Sequence, residues 1–148
     1  MTKPLEDGDG GLRAMRRCLV QSGLSYKDID HINCHATSTN VGDEAEAKAI
    51  ENFLENDIDI IKKVSITANK SAIGHCFAAA GVIETIFTIL AMENQIVPGI
   101  LNLTNPIQNS KLNYVQEKTG RSQKISNVMK NSFGFGGINT ALLFGKYK

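Results

Sequence analysis

An α/β fold is the class this sequence predicts, and three observations predict it. Short β-branched runs alternate with amphipathic stretches along the chain. Loops with turn chemistry follow the strand-like runs at three places. One long segment, residues 77–94, is apolar almost all round, which suits a layered fold with a helix inside. The length of 148 residues is that of one domain.

Residues 4–11 are rich in acid and glycine and read as a loop. A helix is expected over 12–21, with Leu12, Met15, Leu19 and Val20 on one side and Gly23 as its C-cap. Residues 29–34 read as a short strand around Ile29 and Ile32, and 35–42 as a turn. A helix over 43–54 carries acids in its first turn, where the macrodipole favours them. Residues 64–67 alternate and predict a second strand, and 70–75 form a glycine-containing loop. The apolar helix over 77–94 holds Val82, Ile83, Ile86, Phe87, Ile89, Leu90 and Met92 and is expected in the interior. So short a chain has little with which to cover it, so part of its packing is expected to belong to a missing half or a partner chain. Pro98 ends the pattern, and 100–114 read as irregular. Two strands, 127–133 and 139–144, are joined by a glycine-rich turn.

Composition narrows the function classes. With 42% apolar and 21% charged residues, disordered, collagen-like and coiled-coil chains are excluded. Sixteen basic against 15 acidic residues leave +1, which gives no basic footprint for nucleic acid and no reason to expect a membrane surface. No apolar stretch is read as reaching the roughly 18 residues that span a bilayer. Three cysteines without a pairing pattern argue against a disulfide scaffold and for a reducing compartment. The start, Met1-Thr2-Lys3-Pro4-Leu5-Glu6-Asp7, is acidic and reads as neither a secretory signal nor a transit peptide.

The candidate chemistry sits in three loops at expected strand ends, where α/β proteins place their sites. They are Cys34-His35-Ala36-Thr37-Ser38-Thr39 with Gly42-Asp43, then Asn69-Lys70-Ser71-Ala72-Ile73-Gly74-His75, then Asn131-Ser132-Phe133-Gly134-Phe135-Gly136-Gly137-Ile138-Asn139. If the strands are neighbours, His35, His75 and the glycine turn share one sheet edge. Two neutral imidazoles aimed at one point would form a donor pair for a developing oxyanion. Thr37 and Thr39 alternate, so both hydroxyls can face one ligand channel. The turn at Gly134, Gly136 and Gly137 lets the backbone approach a ligand. Glu84 lies mid-way along the apolar helix and needs a partner if buried; Lys70 is the nearest candidate.

Plainer readings stand beside these. His35 can be a satisfied strand-end residue, His75 a hydrogen-bonding group at a helix start, and Thr37 and Thr39 turn formers. Glu84 can occupy a narrow exposed strip, and Phe133 and Phe135 can be core. His31 reads as a surface strand residue without a role, and Cys18 as helix packing. Zinc at Cys34-His35 and His75-Cys76 is disfavoured, because neighbours on an extended chain point to opposite sides. The glycine turn as a nucleotide loop is disfavoured too, since no helix and second parallel strand can follow it.

Taken together, the three loops resemble the C-terminal part of the β-ketoacyl-acyl carrier protein synthases, condensing enzymes of the thiolase superfamily. The family's H-A-T-S-T loop with a following G-D matches His35-Ala36-Thr37-Ser38-Thr39, Gly42, Asp43 and Glu46. Its K-S-x-x-G-H with an A-A-G-x-x-E helix matches Lys70, Ser71, Gly74, His75, Ala79, Ala80, Gly81 and Glu84. Its N-S-F-G-F-G-G-x-N matches residues 131–139, and weaker likenesses cover Gly8 to Met15 and Pro98 with 101–106. The form resembles bacterial type II and mitochondrial elongation synthases more than polyketide modules. A thiolase proper uses a different C-terminal cysteine loop.

The resemblance implies a thiolase-like layered half, with a mixed sheet, helices on both faces and one buried helix lying between two half-folds and partly exposed without the other. It implies decarboxylative condensation of malonyl-carrier protein with an acyl thioester, two carbons per round, in fatty-acid elongation. His35 and His75 would stabilise the enolate, Lys70 and Glu84 would pair to hold charge and geometry, and Thr37 and Thr39 would bond the pantetheine arm. Phe135 would gate the acyl pocket, with its N–H in an oxyanion hole flanked by Gly134 and Gly136. No metal and no dissociable cofactor is implied, since the carrier's phosphopantetheine arm delivers substrate. The implied partners are acyl carrier protein and the N-terminal half, in a homodimer, without nucleic acid or membrane, in the cytoplasm or mitochondrial matrix. The family's nucleophilic cysteine belongs to the other half; Cys18, Cys34 and Cys76 do not match it, so residues 1–148 are expected to be a C-terminal domain inactive alone. The alternative function is a non-catalytic partner or carrier-protein-binding module of the same fold.

Overall fold

The computed structural model describes residues 4–147; the first three residues of the acidic start lie outside the described residues. Helix α1 (Asp9–Ser22) is followed by strand β1 (His31–Asn33), helices α2 (Asn40–Phe53) and α3 (Ile58–Lys63) and strand β2 (Ser65–Thr67). A single turn, α4 (Lys70–Ile73), leads to α5 (Ala80–Asn94). Five strands complete the chain: β3 (Ile96–Val97), β4 (Asn113–Tyr114), β5 (Arg121–Ser122), β6 (Asn127–Phe133) and β7 (Asn139–Gly145). Gly23 ends α1 in a left-handed conformation (φ 70°), as expected of a C-cap.

The main sheet has the order β4-β2-β1-β6-β7. Its first four strands are parallel, and β7 returns antiparallel to β6 with Phe133 opposite Asn139. β3 and β5 form a small antiparallel pair outside it. α1, α2 and α3 cover one face of the main sheet: Met15, Ile50, Phe53 and Ile61 pack there against Ile32, Ile66 and Met129. α5 lies on the other face, against β6. Both faces of β1 are therefore covered, and all three of its residues are buried. The fold is the mixed α/β sheet that the sequence predicts.

The long apolar helix is only partly interior. Ala80, Glu84, Thr88 and Ala91 form its buried stripe, whereas Val82 is 66% exposed and Ile86 53%. The polar and small residues face the sheet and the large apolar ones face out. This agrees with an expectation that something besides this chain packs on the helix. The segment Phe77–Asn94 also reaches 18 residues at a mean hydropathy of 1.3, so the expectation that no apolar stretch attains that length is corrected. Among the described residues it is the one helix long and apolar enough to cross a membrane, yet its Glu84 and Thr88 are fully buried on the sheet.

Other departures are local. α3 falls between the expected helix over 43–54 and the strand over 64–67, and Asp57 caps it through the N–H groups of Asp59 and Ile60. The nominally irregular 100–114 ends in β4, which pairs with β2 for two residues only. His31, read as a surface residue, is fully buried, with its Nε2 2.8 Å from Thr67 Oγ1 of β2.

Candidate functional site

The parallel order of β2, β1 and β6 puts their C-terminal ends on one sheet edge, and each of the three motif loops leaves from one of them. His35 follows β1, Lys70 and His75 follow β2, and the glycine turn follows β6. The imidazoles of His35 and His75 stand edge to face, with ring centroids 5.9 Å apart and planes at 88°. Phe133 lies 5.9 Å from His35 on the side of the glycine turn.

Each ring has one nitrogen already occupied. His75 Nδ1 accepts the Phe77 N–H at 3.0 Å. His35 Nδ1 lies 3.4 Å from the Lys70 ammonium, which can only donate. Both Nδ1 atoms are therefore acceptors, and a neutral ring then carries its proton on Nε2. Burial, reinforced by the positive charges of Lys70 and Lys130, lowers the His35 pKa to about 4, so this ring is neutral at pH 7.

Beneath His35 lies a buried charge cluster. Lys70 Nζ sits 2.6 Å from Glu84 Oε1 and also donates to the His35 carbonyl. The expected Lys70–Glu84 pair is thus formed, and Glu84 is fully buried, not on an exposed strip. Lys130, which the sequence reading missed, places its Nζ 2.9 Å from Glu84 Oε2 as an ion pair. Its signal is the two-residue alternation of β6: Lys130 shares a face with buried Val128, where a cation requires an acid. Burial pulls the Lys130 pKa down, and Glu84 opposes that shift.

Two acids of α2 hold the His35 loop. Glu46 accepts the N–H groups of His35 (2.9 Å) and Ala36 (2.8 Å) and is itself bonded by Asn131 Nδ2. Asp43 Oδ1 accepts the Thr37 N–H at 3.1 Å. These bonds hold Ala36 (φ 29°) and Ser38 (φ 62°) in conformations unusual for residues other than glycine. Kinked at alternate residues, the loop brings Thr37 Oγ1 and Thr39 Oγ1 within 3.2 Å of each other. A Cβ at Gly42 would lie 2.6 Å from Thr39 Oγ1, so glycine leaves room for that hydroxyl.

The last loop is a hairpin turn closed by the Gly134 N–H to the Ile138 carbonyl at 2.8 Å. Gly136 (φ 79°) and Gly137 (φ 80°) take the left-handed conformation that favours glycine, whereas Gly134 has an ordinary φ but would bring a Cβ to 3.2 Å from the Ile138 carbonyl oxygen. Phe135 projects from the tip and is 78% exposed, so the reading of it as core is corrected. Because β7 returns antiparallel, the turn opens no βα unit, which removes the nucleotide-loop reading. Cys34 is buried and its thiol is pushed well up by that burial, the opposite of a nucleophile. Among the described residues, no group of three or more His, Cys, Asp or Glu side chains is placed to hold a metal ion.

Comparison with known proteins points the same way. Residues 1–104 match the family model of the beta-ketoacyl synthase C-terminal domain. The chain is 41% identical over 147 residues to the 3-oxoacyl-[acyl-carrier-protein] synthase 2 of Rhizobium meliloti, spanning 99% of this chain and 34% of that protein. It is 41% identical over 144 residues to the mitochondrial 3-oxoacyl-[acyl-carrier-protein] synthase of Arabidopsis thaliana, spanning 97% and 31%. Among solved structures, a Burkholderia phymatum beta-ketoacyl synthase superposes with TM-score 0.88 at 33% identity, over 100% of this chain and 34% of that one. The ketosynthase assembly of a type II polyketide acyl-carrier protein complex gives TM-score 0.91 at 29% identity, over 99% and 35%. The chain spans about a third of the length of these relatives. It belongs to the beta-ketoacyl synthase family and matches its C-terminal domain.

Proposed function

We propose that this chain is the C-terminal domain of a 3-oxoacyl-acyl carrier protein synthase and supplies the decarboxylation half of its site. One observation carries the reading: two imidazoles from neighbouring strand ends stand 5.9 Å apart, with both Nδ1 atoms engaged. Loss of carbon dioxide from a malonyl thioester leaves an enolate whose charge lies on the thioester oxygen. Neutral Nε2–H donors of His35 and His75 stabilise that oxygen without gaining a net charge of their own. Lys70, with its charge offset by Glu84, fixes the His35 carbonyl and Nδ1. Thr37 and Thr39 present hydroxyls to the pantetheine arm of acyl carrier protein, and no further cofactor takes part. Phe135, with the backbone of Gly134 and Gly136, gates the acyl chamber.

The acyl-accepting thiolate comes from the remaining part of the synthase, which also packs on the outer face of α5. This chain alone therefore catalyses no two-carbon elongation. The complete enzyme works as a homodimer in the cytoplasm or the mitochondrial matrix.

The test joins this chain to the preceding two thirds of the Rhizobium meliloti relative and follows carbon dioxide release from malonyl-carrier protein. Replacing His35 and His75 together by Ala is expected to lower release by at least ~100-fold, the scale of lost oxyanion donors. Unchanged release would instead assign the domain to carrier-protein binding without catalysis.

A further inference from the structure

The buried face of β6 carries a cation to which the proposed function assigns no role. Lys130 is 1% exposed and sits opposite Asn33 in the β1–β6 register. Asn33 Nδ2 in turn donates to the Glu84 carbonyl and to Thr88 Oγ1 of α5. Glu84 thus meets a cation from each strand flanking β1: Lys70 just beyond β2 on Oε1, and Lys130 within β6 on Oε2. We infer that Lys130 is a positioning residue for His35: by holding the second oxygen of Glu84, it fixes the carboxylate so that Lys70 stays on the first and reaches the His35 carbonyl and Nδ1.

The reason is one of alternatives. A carboxylate with a single cation can pivot, and either oxygen can take it. With Lys130 anchored on a central strand, where it also donates to the Asn131 carbonyl, only Oε1 is left for Lys70. Lys70 then lies where it must donate to His35 Nδ1, which sets the Nε2–H tautomer. The cluster of two cations and one anion also leaves one positive charge under the imidazole. The charged and titratable groups facing His35 are Lys70 from α4, His75 beyond it, Glu84 from α5, Lys130 from β6 and Glu46 from α2. The inference rests on the proposal that His35 serves as a neutral donor. Its test reads the ring and not turnover, so either can fail without the other.

The full 148-residue chain contains only three histidines, so ring nitrogen NMR resolves each. In Lys130→Met, the His35 inflection is expected to rise by ~0.5–1 pH unit from its starting value near 4, as one nearby positive charge is lost. Its Nε2–H tautomer should become mixed. Lys130→Arg should restore both towards the wild type. A folded Lys130→Met chain whose His35 titration and tautomer match the wild type overturns the inference. If the Met variant does not fold, the side-chain nitrogen signals of the wild type decide. Two exchange-protected ammonium groups contacting Glu84 support it, and only one overturns it.

Discussion

The two faces of the central sheet are built on opposite principles. Under α1, α2 and α3 the interior is mainly hydrocarbon, with Met15, Ile32, Ile50, Ile61, Ile66 and Met129 in contact and the Glu46–Asn131 pair beside them. Under α5 the same strands turn inward His31, Asn33, Thr67 and Lys130, all at most 1% exposed. Hydrocarbon cores are tolerant because dispersion and burial are non-directional. A polar layer holds only if each group finds its partner, so its residues are fixed in orientation. The site hangs from the polar face: Lys70, Lys130 and Glu84 act on His35 from that side. The lesson is that the charges acting on His35 come from the polar face, while Glu46 and Asn131 brace its loop from the other side.

The largest effect that separates the faces is expected from Glu84→Ala. It leaves two lysines buried without an acid, and loss of one partner of a buried pair costs ~3–5 kcal/mol. Urea unfolding measures it; a change below ~1 kcal/mol would erase the distinction. Ile66→Ala, on the hydrocarbon face, is expected to cost ~2–4 kcal/mol through lost burial and a cavity. Unlike Glu84→Ala it should leave the His35 titration where it is.

A pH series sharpens the contrast. His31 is fully buried with Nε2 2.8 Å from Thr67 Oγ1, and burial lowers its pKa from 6.5 to about 3. Between those values the unfolded chain binds a proton that the folded chain refuses. The stabilisation by neutral His31 is thus complete above pH 6.5 and is lost as pH falls towards 3, at up to ~1.4 kcal/mol per unit. Buried Glu46 works against this trend, since burial raises its pKa and the folded state holds its proton better. The readout is therefore the difference between wild type and His31→Asn. From pH 7 to 5 the wild type is expected to lose ~2 kcal/mol more in urea midpoint titrations. Parallel curves would contradict a neutral buried His31.

The smallest effect belongs to the outer side of α5. Val82→Ser removes an apolar side chain that is 66% exposed, so the chain's own stability should shift by less than ~0.5 kcal/mol. A loss above ~1.5 kcal/mol by the same urea measurement would mean that this face is covered within the chain.

How far the sequence foretold this depends on which face a residue serves. Met15 and Ile32 follow ordinary periodicity and were legible, as were the strands at 127–133 and 139–144. The three motif loops were legible because residue type and spacing carry chemistry, and parallel strands had to bring their ends together. The polar face was not. Apolar periodicity assigns the interior to the apolar side of α5, while its buried stripe is Ala80, Glu84, Thr88 and Ala91. His31 was placed at the surface for the same reason, since three-residue β1 is too short for alternation to show a second covered face. Lys130 needed knowledge of where Glu84 lies, a tertiary fact. Helix α3 rests on one cap at Asp57, and β4 on two pairs with β2, signals too local or too short to stand out.

The central claim is that two imidazoles meet with Nε2–H as their free donors. Long-range proton–nitrogen NMR correlation at the three histidine rings tests it most directly. At pH 7 it should find His35 neutral, Nε2 of both His35 and His75 carrying a proton, and His35 titrating near pH 4. A His35 that titrates near 6.5, or a proton on Nδ1 of either ring, would contradict it.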